Sequence, residues 1–551
     1  MFCDKPHVNL LTALLPQYGI RHIVVCPGSR NAVLIHNFTQ HTGLCVHPVT
    51  DERSAAFVAL GIATAGKGPV AVCVTSGSAL LGTLPAVAEA FYRHIPLLVI
   101  SADRPARWIG QLDGQTLPQV GALQPYCMTH DIPEAEKAGS DGEEMAWWCR
   151  RTICEALVML RRDGGRPVHI NISVAEPLFS FTTPHLPDCL PVVYEEAPVV
   201  NPLSEDLIKE IASARLPVLV VGQYETVNDP AISVIERTGS LLVLSELIGN
   251  QPHSRRLAIV EKIPQVLEKL HPDVVVHIGG NFVGKQLKRH IRHLKHCRVI
   301  RIEPGSAFPD TFCHLSALVH APTGPALQQL AEYLPANNEV MRAKTVFTEL
   351  IERECRVSAQ KNGQEHQENR DSNLSHATIM QLFAAFTDPK TTSLTALHLA
   401  NSSTVRIAAL YFEGGCFPVF CNRGVNGIEG TLSAAVGHAL VTDGINLVFI
   451  GDLSFFYDQN ALWNTGLPDN LRIVLLNDGG GKIFQNLPGL DASPAVSKYI
   501  AASHHTSAQG IAQAYGLHYL SAHSMEEVEE NAGRVFASDN KALILEIFIN
   551  H

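Results

Sequence analysis

The sequence predicts an α/β protein of three doubly wound domains with mainly parallel sheets. Three observations carry this expectation: runs that are apolar at every position, helical patterns between them, and two segments that interrupt both. The runs include HIVVCPGSR (22–30), VAVCVTSGS (70–78), LLVISADRP (97–105), VLVVGQ (218–223), VVVHIGG (274–280), LVFIGDLS (447–454) and RIVLLNDGGG (472–481). A strand with no polar alternation is covered on both faces, the condition of a parallel sheet flanked by helices. Such sheets bind ligands beyond the carboxyl ends of their strands. The glycines, serines and aspartates that end these runs are therefore the first candidates for a site.

The interrupting segments set the domain boundaries. Residues 181–204 carry Pro184, Pro187, Pro191, Pro198 and Pro202, enough to stop regular structure. Residues 358–373, SAQKNGQEHQENRDSN, hold one aliphatic residue and read as an exposed, mobile connector. The expected domains are 1–182, 198–345 and 372–551, since 551 residues exceed what one core organises.

Composition narrows the class of protein. A net charge of -11 argues against nucleic acid as a partner, because phosphate binding needs a basic face. It leaves anionic substrates open, since a local cluster of arginines can hold a carboxylate. The 13 cysteines show no C-x-x-C spacing, so they read as small buried residues of a reducing compartment and not as a zinc site. The first residues, MFCDKPHVNLLTALLPQYG, read as an amphipathic helix and not as a signal peptide. No apolar stretch reaches the roughly 18 residues of a membrane span. The expectation is a cytoplasmic protein with no membrane span.

The most informative stretch is GDLSFFYDQNALWNTGLPDNLRIVLLNDGGGKIF, residues 451–484. One strand ends at Gly451-Asp452, a helix follows, and the next strand ends at Asn477-Asp478 before three glycines. Neighbouring parallel strands would set two oxygen ligands side by side at the carboxyl edge. Magnesium takes hard oxygen ligands and completes its shell with phosphate oxygens and water. The glycines let backbone carbonyls and amides approach closely. G-D followed at this spacing by N/D-x-G is the diphosphate-binding pattern of thiamine diphosphate enzymes. Two strand ends and a turn would look similar in an unrelated α/β protein.

Such enzymes need a carboxylic acid at ring nitrogen N1′ of the aminopyrimidine, and burial favours its protonated form. HPVTDERSAAFVALGIA (47–63) offers Asp51-Glu52 at the start of an apolar helix. An acidic pair in a first helical turn is commonly a favourable dipole contact. Beside the diphosphate pattern, Glu52 becomes the candidate catalytic acid.

CPGSRNA (26–32), TDERSAAF (50–57), VTSGSALL (74–81), SADRPARWIGQLDGQTLPQ (101–119), NSSTVRIA (401–408), CNRGVNGIEGTLSAA (421–435) and GDLSFFYD (451–458) fall in one order. In this the chain resembles the 2-succinyl-5-enolpyruvyl-6-hydroxy-3-cyclohexene-1-carboxylate synthase family of menaquinone biosynthesis. The resemblance is strongest in the first and third segments and weak between 181 and 270. It implies the thiamine diphosphate-enzyme fold, with pyrimidine-binding, central and diphosphate-binding domains in that order. The implied activity is that of a transferase: decarboxylation of 2-oxoglutarate on thiamine diphosphate, then 1,4-addition of the resulting succinyl carbanion to isochorismate. It also implies a homodimer or a dimer of dimers, because the two ends of one coenzyme are held by domains of two chains.

Both substrates are dicarboxylic acids, and arginine's planar fork suits a carboxylate. By resemblance Ser29, Arg30, Arg104, Gln115 and Lys285 line the isochorismate side. Ser402, Arg406 and Arg423 serve the oxoglutarate-derived part, with Ser402 and Arg406 four apart on one helical face. Ile428 corresponds to the apolar residue that props the coenzyme into its bent shape; alone it would read as an ordinary core isoleucine. Ile483 and Phe484 cover the substrate and exclude water. Gly451, Asp452, Leu453, Ser454 and Gly480 contact the coenzyme, and Asp452, Asp478 and Gly480 hold magnesium or, alternatively, manganese. Two positions depart from the family pattern. The second metal position, usually asparagine, is Asp478, with Asn477 just before it, so either residue could be the ligand. Gly114 stands where some relatives have asparagine.

Competing patterns are weaker. Gly279 to Lys285 spells G-x-x-x-x-G-K, yet Gln286 replaces the serine or threonine of a P-loop. No G-x-S-x-G marks a hydrolase. His504-His505 lies in the polar stretch AASHHTSAQG and reads as a surface pair. The nearest rivals are another thiamine diphosphate synthase or decarboxylase, and a non-catalytic relative.

Overall fold

The computed structural model describes residues 1–134, 140–252, 255–368, 374–387, 393–484, 487–490, 492–537 and 541–549. Its strands form three six-stranded sheets in which every strand pairing is parallel. The first contains β1 (His22–Val25), β2 (Cys45–Pro48), β3 (Val70–Val74), β4 (Leu97–Asp103), β5 (Met128–Ile132) and β6 (Val168–Ser173) in the order β2-β1-β3-β4-β6-β5. The second contains β7 (Pro217–Val221), β8 (Leu242–Ser245), β9 (Arg255–Arg256), β10 (Val274–Ile278), β11 (Arg298–Glu303) and β12 (Leu315–His320) in the order β12-β11-β10-β7-β8-β9. The third contains β13 (Leu394–Leu399), β14 (Val419–Phe420), β15 (Ile445–Gly451), β16 (Leu471–Asn477), β17 (His518–Ala522) and β18 (Leu543–Phe548) in the order β14-β13-β15-β16-β18-β17. Central strands such as β3, β4, β7, β10 and β16 are buried at every position, as their unbroken apolar runs require.

Strand order places the crevices. The chain reverses direction across each sheet at β1/β3, β7/β10 and β13/β15, and ligands bind at such switch points. The motifs CPGSR, TSGS, NSS and GDLS all follow strands that border the first and third reversals. The second reversal is closed by its own backbone. Gly280 N–H donates to the Gln223 carbonyl at 2.7 Å, and a Cβ on Gly222 would collide with the Gly280 carbonyl oxygen.

The chain packs as two compact units. One comprises Met1–Glu196, Gly424–Asp443 and Tyr457–Pro468; the other comprises Ala197–Arg423, Gly444–Phe456 and Asp469–His551. In the first unit, the helix Glu52–Ile62 packs on the helix Thr431–Ala439 through two glycines. A Cβ on Gly61 would strike the Ala434 carbonyl, and one on Gly437 would strike that of Val58. Only glycine permits backbones to approach so closely.

Two sequence expectations are corrected. The helix Pro6–Leu14 is not an amphipathic surface helix, because every residue from His7 to Leu14 is buried. Its polar groups are satisfied internally: His7 Nε2 lies 2.8 Å from the Ser173 carbonyl, and Asn9 bonds Cys3 and Asn37. The connector expected over 358–373 is helical as far as Glu368, in the helix Asn338–Glu368. Its glutamines, glutamates and lysine are good helix formers and it holds no proline, so polarity alone misled. Residues 369–373 lie outside the described residues. The proline-rich stretch 181–204 carries no helix and only the isolated bridge of Thr183 to Phe2. No described helix is long and apolar enough to cross a membrane.

Candidate active site

In the first unit, the acidic pair divides its work. Asp51 is the N-cap of the helix Glu52–Ile62: its Oδ1 accepts the Ser54 N–H at 3.0 Å and its Oδ2 accepts Asn460 Nδ2 at 2.7 Å. The dipole contact expected of such a pair is thus made by Asp51. Glu52 is half-buried, and its carboxylate has no hydrogen bond or ion pair among the described residues. It stands close to the end of β1, where burial first and the negative charge of Glu52 second raise the Cys26 thiol. A Cβ on Gly82 would lie 3.1 Å from that of Glu52, so the turn after β3 presses on the glutamate stem.

Arg30 and Arg104 converge on the same unit's carboxyl edge. Arg30 is buried; Nη1 donates to the Val174 carbonyl at 2.9 Å and Nη2 to Glu176 Oε1 at 3.3 Å. Arg104 Nη1 lies 3.9 Å from the same oxygen, and Nη2 donates to the Gly114 carbonyl at 3.0 Å. Burial and the adjacent Arg104 charge pull Arg30 below the ordinary arginine range. The two cations share the exposed Glu176, and Arg104 Nε also lies 3.9 Å from Asp113 Oδ2. Ser29 is exposed, and so is Gln115, whose backbone carbonyl accepts Ser76 Oγ at 2.9 Å. A Cβ on Gly114 would meet nothing within 4 Å. The residue that pins this loop is Gln119, which the sequence did not single out. Its Oε1 accepts the Gly77 N–H at 2.7 Å, and its Nε2 donates to Asn171 Oδ1 at 2.7 Å. Ile428 is 42% exposed, so it is no core isoleucine.

In the second unit, β15 and β16 run in register, with Gly451 opposite Leu476. Asp452 and Asp478 follow these two strand ends, close enough for the Asp452 charge to act on Asp478. Asp452 is 2% exposed; Oδ1 accepts the Leu453 N–H at 2.6 Å and Oδ2 the Gly480 N–H at 2.9 Å. Burial, then the Asp452 charge, pushes Asp478 up to about 6. Two carboxylates that repel in a buried setting form a donor set that a cation would relieve. Asn477 is occupied otherwise: Nδ2 donates to Glu546 Oε1 at 2.7 Å and to the Thr506 carbonyl at 2.9 Å, while Oδ1 accepts the Gly479 N–H. The Gly480 carbonyl accepts the Lys482 N–H at 3.0 Å. Gly480 has φ +141°, and a Cβ there would lie 2.7 Å from the Ala501 carbonyl. At Gly451 a Cβ would meet nothing within 4 Å, so that glycine keeps open the space beside the carboxylates. Leu453 and Ser454 follow in the first turn of the helix Asp452–Asp458. Among the described residues no three His, Cys, Asp or Glu side chains gather as a protein-only metal cage. The residues present thus suit a metal that also takes oxygens from a bound diphosphate. Ile483 and Phe484 form a turn after the glycines, with Phe484 exposed.

The surface reading of His504 is corrected. Its Nε2 lies 3.3 Å from Asp452 Oδ2, with the side chain 17% exposed, whereas His505 is exposed. His376, from the start of the helix His376–Ala385, stands 3.8 Å from Asp478 Oδ2. Both histidines arrive from segments remote in sequence, and no spacing could have announced them.

The same unit gathers a cationic cluster. Ser402 caps the helix Ser403–Tyr411 at φ +73°, a strained conformation for a side-chain-bearing residue. Arg406 Nη1 returns to the Ser402 carbonyl at 2.6 Å. Arg423 is 6% exposed; Nη1 donates to Asn401 Oδ1 and Nη2 to the Phe282 carbonyl, both at 3.0 Å, while Nε has no hydrogen-bond partner. Burial and the Arg423 charge lower Arg406. Lys285 is exposed. Lys288, which the sequence did not single out, is lowered by burial first and by the charges of Arg292 and Arg423. The P-loop-like segment is already filled by acid. Glu246 Oε1 accepts the N–H groups of Val283 and Gly284 at 3.1 and 2.9 Å, and Glu261 accepts those of Lys285 and Leu287 at 3.2 and 2.8 Å. The amides that would cradle a phosphate there are taken.

The model of the thiamine pyrophosphate enzyme N-terminal TPP-binding domain matches residues 7–127. The chain is similar to 2-succinyl-5-enolpyruvyl-6-hydroxy-3-cyclohexene-1-carboxylate synthase of Bacteroides thetaiotaomicron, 39% identical over 567 residues, which cover 100% of this chain and 97% of the relative. The synthase of the same name from Phocaeicola vulgatus is 38% identical over 100% of this chain and 96% of the relative. That of Desulfotalea psychrophila is 33% identical over 99% and 98%.

Proposed function

Because the chain belongs to the family of 2-succinyl-5-enolpyruvyl-6-hydroxy-3-cyclohexene-1-carboxylate synthases, we propose that it joins 2-oxoglutarate to isochorismate with loss of carbon dioxide, in menaquinone biosynthesis. It is a thiamine diphosphate-dependent transferase. The observation that carries the reading is the pair of carboxylates after β15 and β16, Asp452 opposing the ionisation of Asp478, with open space at Gly451.

When bound, thiamine diphosphate supplies the electron sink for decarboxylation and for the new carbon–carbon bond. Asp452, Asp478 and the backbone at Gly480 hold magnesium or manganese, with Gly451, Leu453 and Ser454 beside the diphosphate. Asp478 is the second side-chain ligand in this reading, supported by the Gly479 N–H that Asn477 Oδ1, the asparagine atom able to coordinate a cation, already accepts. Glu52 carries the proton exchanged with the aminopyrimidine; its lack of a protein partner supports this role. Ile428 offers an exposed apolar prop. Arg30 and Arg104, with Ser29, Gln115 and Lys285, take the carboxylates of isochorismate. Arg406 and Arg423, with Ser402, orient the 2-oxo acid, and the unpaired Arg423 Nε is a donor reserved for it. Ile483 and Phe484 exclude water from the reacting carbon.

Residues 1–182 form the pyrimidine-binding domain, 198–345 the central domain and 372–551 the diphosphate-binding domain. The protein works in the cytoplasm as a homodimer or a dimer of dimers.

The test supplies thiamine diphosphate, magnesium, 2-oxoglutarate and isochorismate, then follows isochorismate absorbance and carbon dioxide release. Equimolar loss and release are expected. Carbon dioxide release indifferent to isochorismate would favour a plain decarboxylase, and no turnover with intact coenzyme binding would favour a non-catalytic relative.

A further inference from the structure

His504 is held at the metal-binding end of the site by three separate contacts. Its backbone N–H donates to the Gly479 carbonyl at 2.9 Å, which ties it to the glycine run after β16. Its ring meets Phe456 edge to face, with centroids 5.5 Å apart and planes at 88°. Its Nδ1 accepts the Thr506 N–H at 3.1 Å. A ring nitrogen that accepts a hydrogen bond carries no proton, so the ring hydrogen belongs to Nε2. Nε2 is shielded from solvent, makes no hydrogen bond of good geometry, and faces Asp452 Oδ2 at 3.3 Å. Asp452 itself already accepts the N–H groups of Leu453 and Gly480, one on each oxygen.

We infer that His504 is a positioning residue for the metal: its Nε2, 3.3 Å from Oδ2 of Asp452, limits the rotation of that carboxylate so that it presents a set lone pair to the cation. The inference rests on the coenzyme reading above and goes beyond it by assigning a residue that touches neither substrate nor metal. Partners that orient a ligating side chain typically account for about 10- to 100-fold in metal affinity.

The experiment compares wild type, His504→Phe and His504→Gln by isothermal titration of magnesium in the presence of thiamine diphosphate, with unfolding temperature of the metal-free protein as the control for folding. Phenylalanine keeps the ring and its contact with Phe456 but has no donor; the glutamine amide places a donor near the Nε2 position. Expected are metal affinity about 10-fold weaker or more for His504→Phe, and recovery of most of that loss for His504→Gln. Wild-type affinity in His504→Phe, or equal weakness in both variants at unchanged unfolding temperature, overturns the inference and leaves the coenzyme reading intact. Absence of coenzyme-dependent magnesium binding in the wild type overturns both.

Discussion

The backbone N–H of Gly480 donates to Oδ2 of Asp452 at 2.9 Å, joining the loop after β16 to the residue that follows β15. This bond links two strand ends that are neighbours in the sheet but distant in sequence. It also holds the Asp452 carboxylate next to Asp478, whose ionisation that charge opposes. A cation bound between them would remove the conflict, and several outcomes follow from the arrangement.

Asp478→Asn removes one of the two repelling charges. Magnesium affinity in the presence of thiamine diphosphate is expected to fall, while the metal-free protein becomes more resistant to heat. Asn477→Ala is expected to do something different: it leaves buried Glu546 without one of its donors and costs about 1–3 kcal/mol of stability. Calorimetry and thermal unfolding of both variants check this, and unchanged metal affinity in Asp478→Ala, which has no side-chain oxygen, would place the second ligand elsewhere.

Glu52→Gln is expected to lower turnover by about 10²- to 10⁴-fold, the usual range for one acid–base group, with coenzyme affinity largely kept. Steady-state kinetics beside coenzyme titration separate the two effects. A near-normal rate would remove Glu52 from the chemistry.

Arg406→Ala is expected to raise KM for 2-oxoglutarate by about 10- to 100-fold, as for loss of a charged hydrogen bond, and to affect isochorismate less. Its side chain bends back to Ser402 and stands by Arg423 within one compact unit. Equal effects on both substrates would undo the division of the pocket.

Glu246 is held at about 7 by burial, against the lowering effect of the Gly284 and Val283 amides. A carboxyl whose folded pKa lies above its unfolded value favours the fold in its protonated form. That contribution is complete below about 4.5 and is lost as the pH rises through about 7. Relative to Glu246→Gln, the wild type should therefore lose up to ~3 kcal/mol of stability across that window. Urea unfolding on either side of the window measures it, and a difference independent of pH would refute the assignment.

Gly61→Ala and Gly451→Ala separate packing from ligand binding. The first drives a methyl group into the Ala434 carbonyl and is expected to destabilise the protein by about 1–3 kcal/mol. The second meets open space, so its unfolding temperature should match wild type while coenzyme affinity drops. Normal coenzyme binding by Gly451→Ala would place the diphosphate elsewhere.

Much of this was legible in the residues. Unbroken apolar runs marked the central strands because burial on both faces leaves no polar position. Edge strands such as β2 and β17, partly exposed, offered no such signal. Asp452 was readable because a metal-binding carboxylate at a strand end recurs at a fixed spacing from the next strand. That Asn477 bonds Glu546 from β18 was not, because the partner lies on a strand distant in sequence. A polar, proline-free stretch was taken for a connector, yet its backbone is helical to Glu368, since helix propensity and solvation are independent properties.

By itself the sequence determined the α/β class, the strand-end motifs and the kinds of side chain the chemistry needs, because each depends on periodicity or spacing along one stretch of chain. Only the tertiary structure decided that Asp51 caps the helix while Glu52 has no partner among the described residues, that Glu246 and Glu261 fill the P-loop-like amides, and that His504 stands at Asp452. Those facts depend on groups brought together from remote positions, where hydrogen-bond geometry and burial, not order along the chain, select the partner.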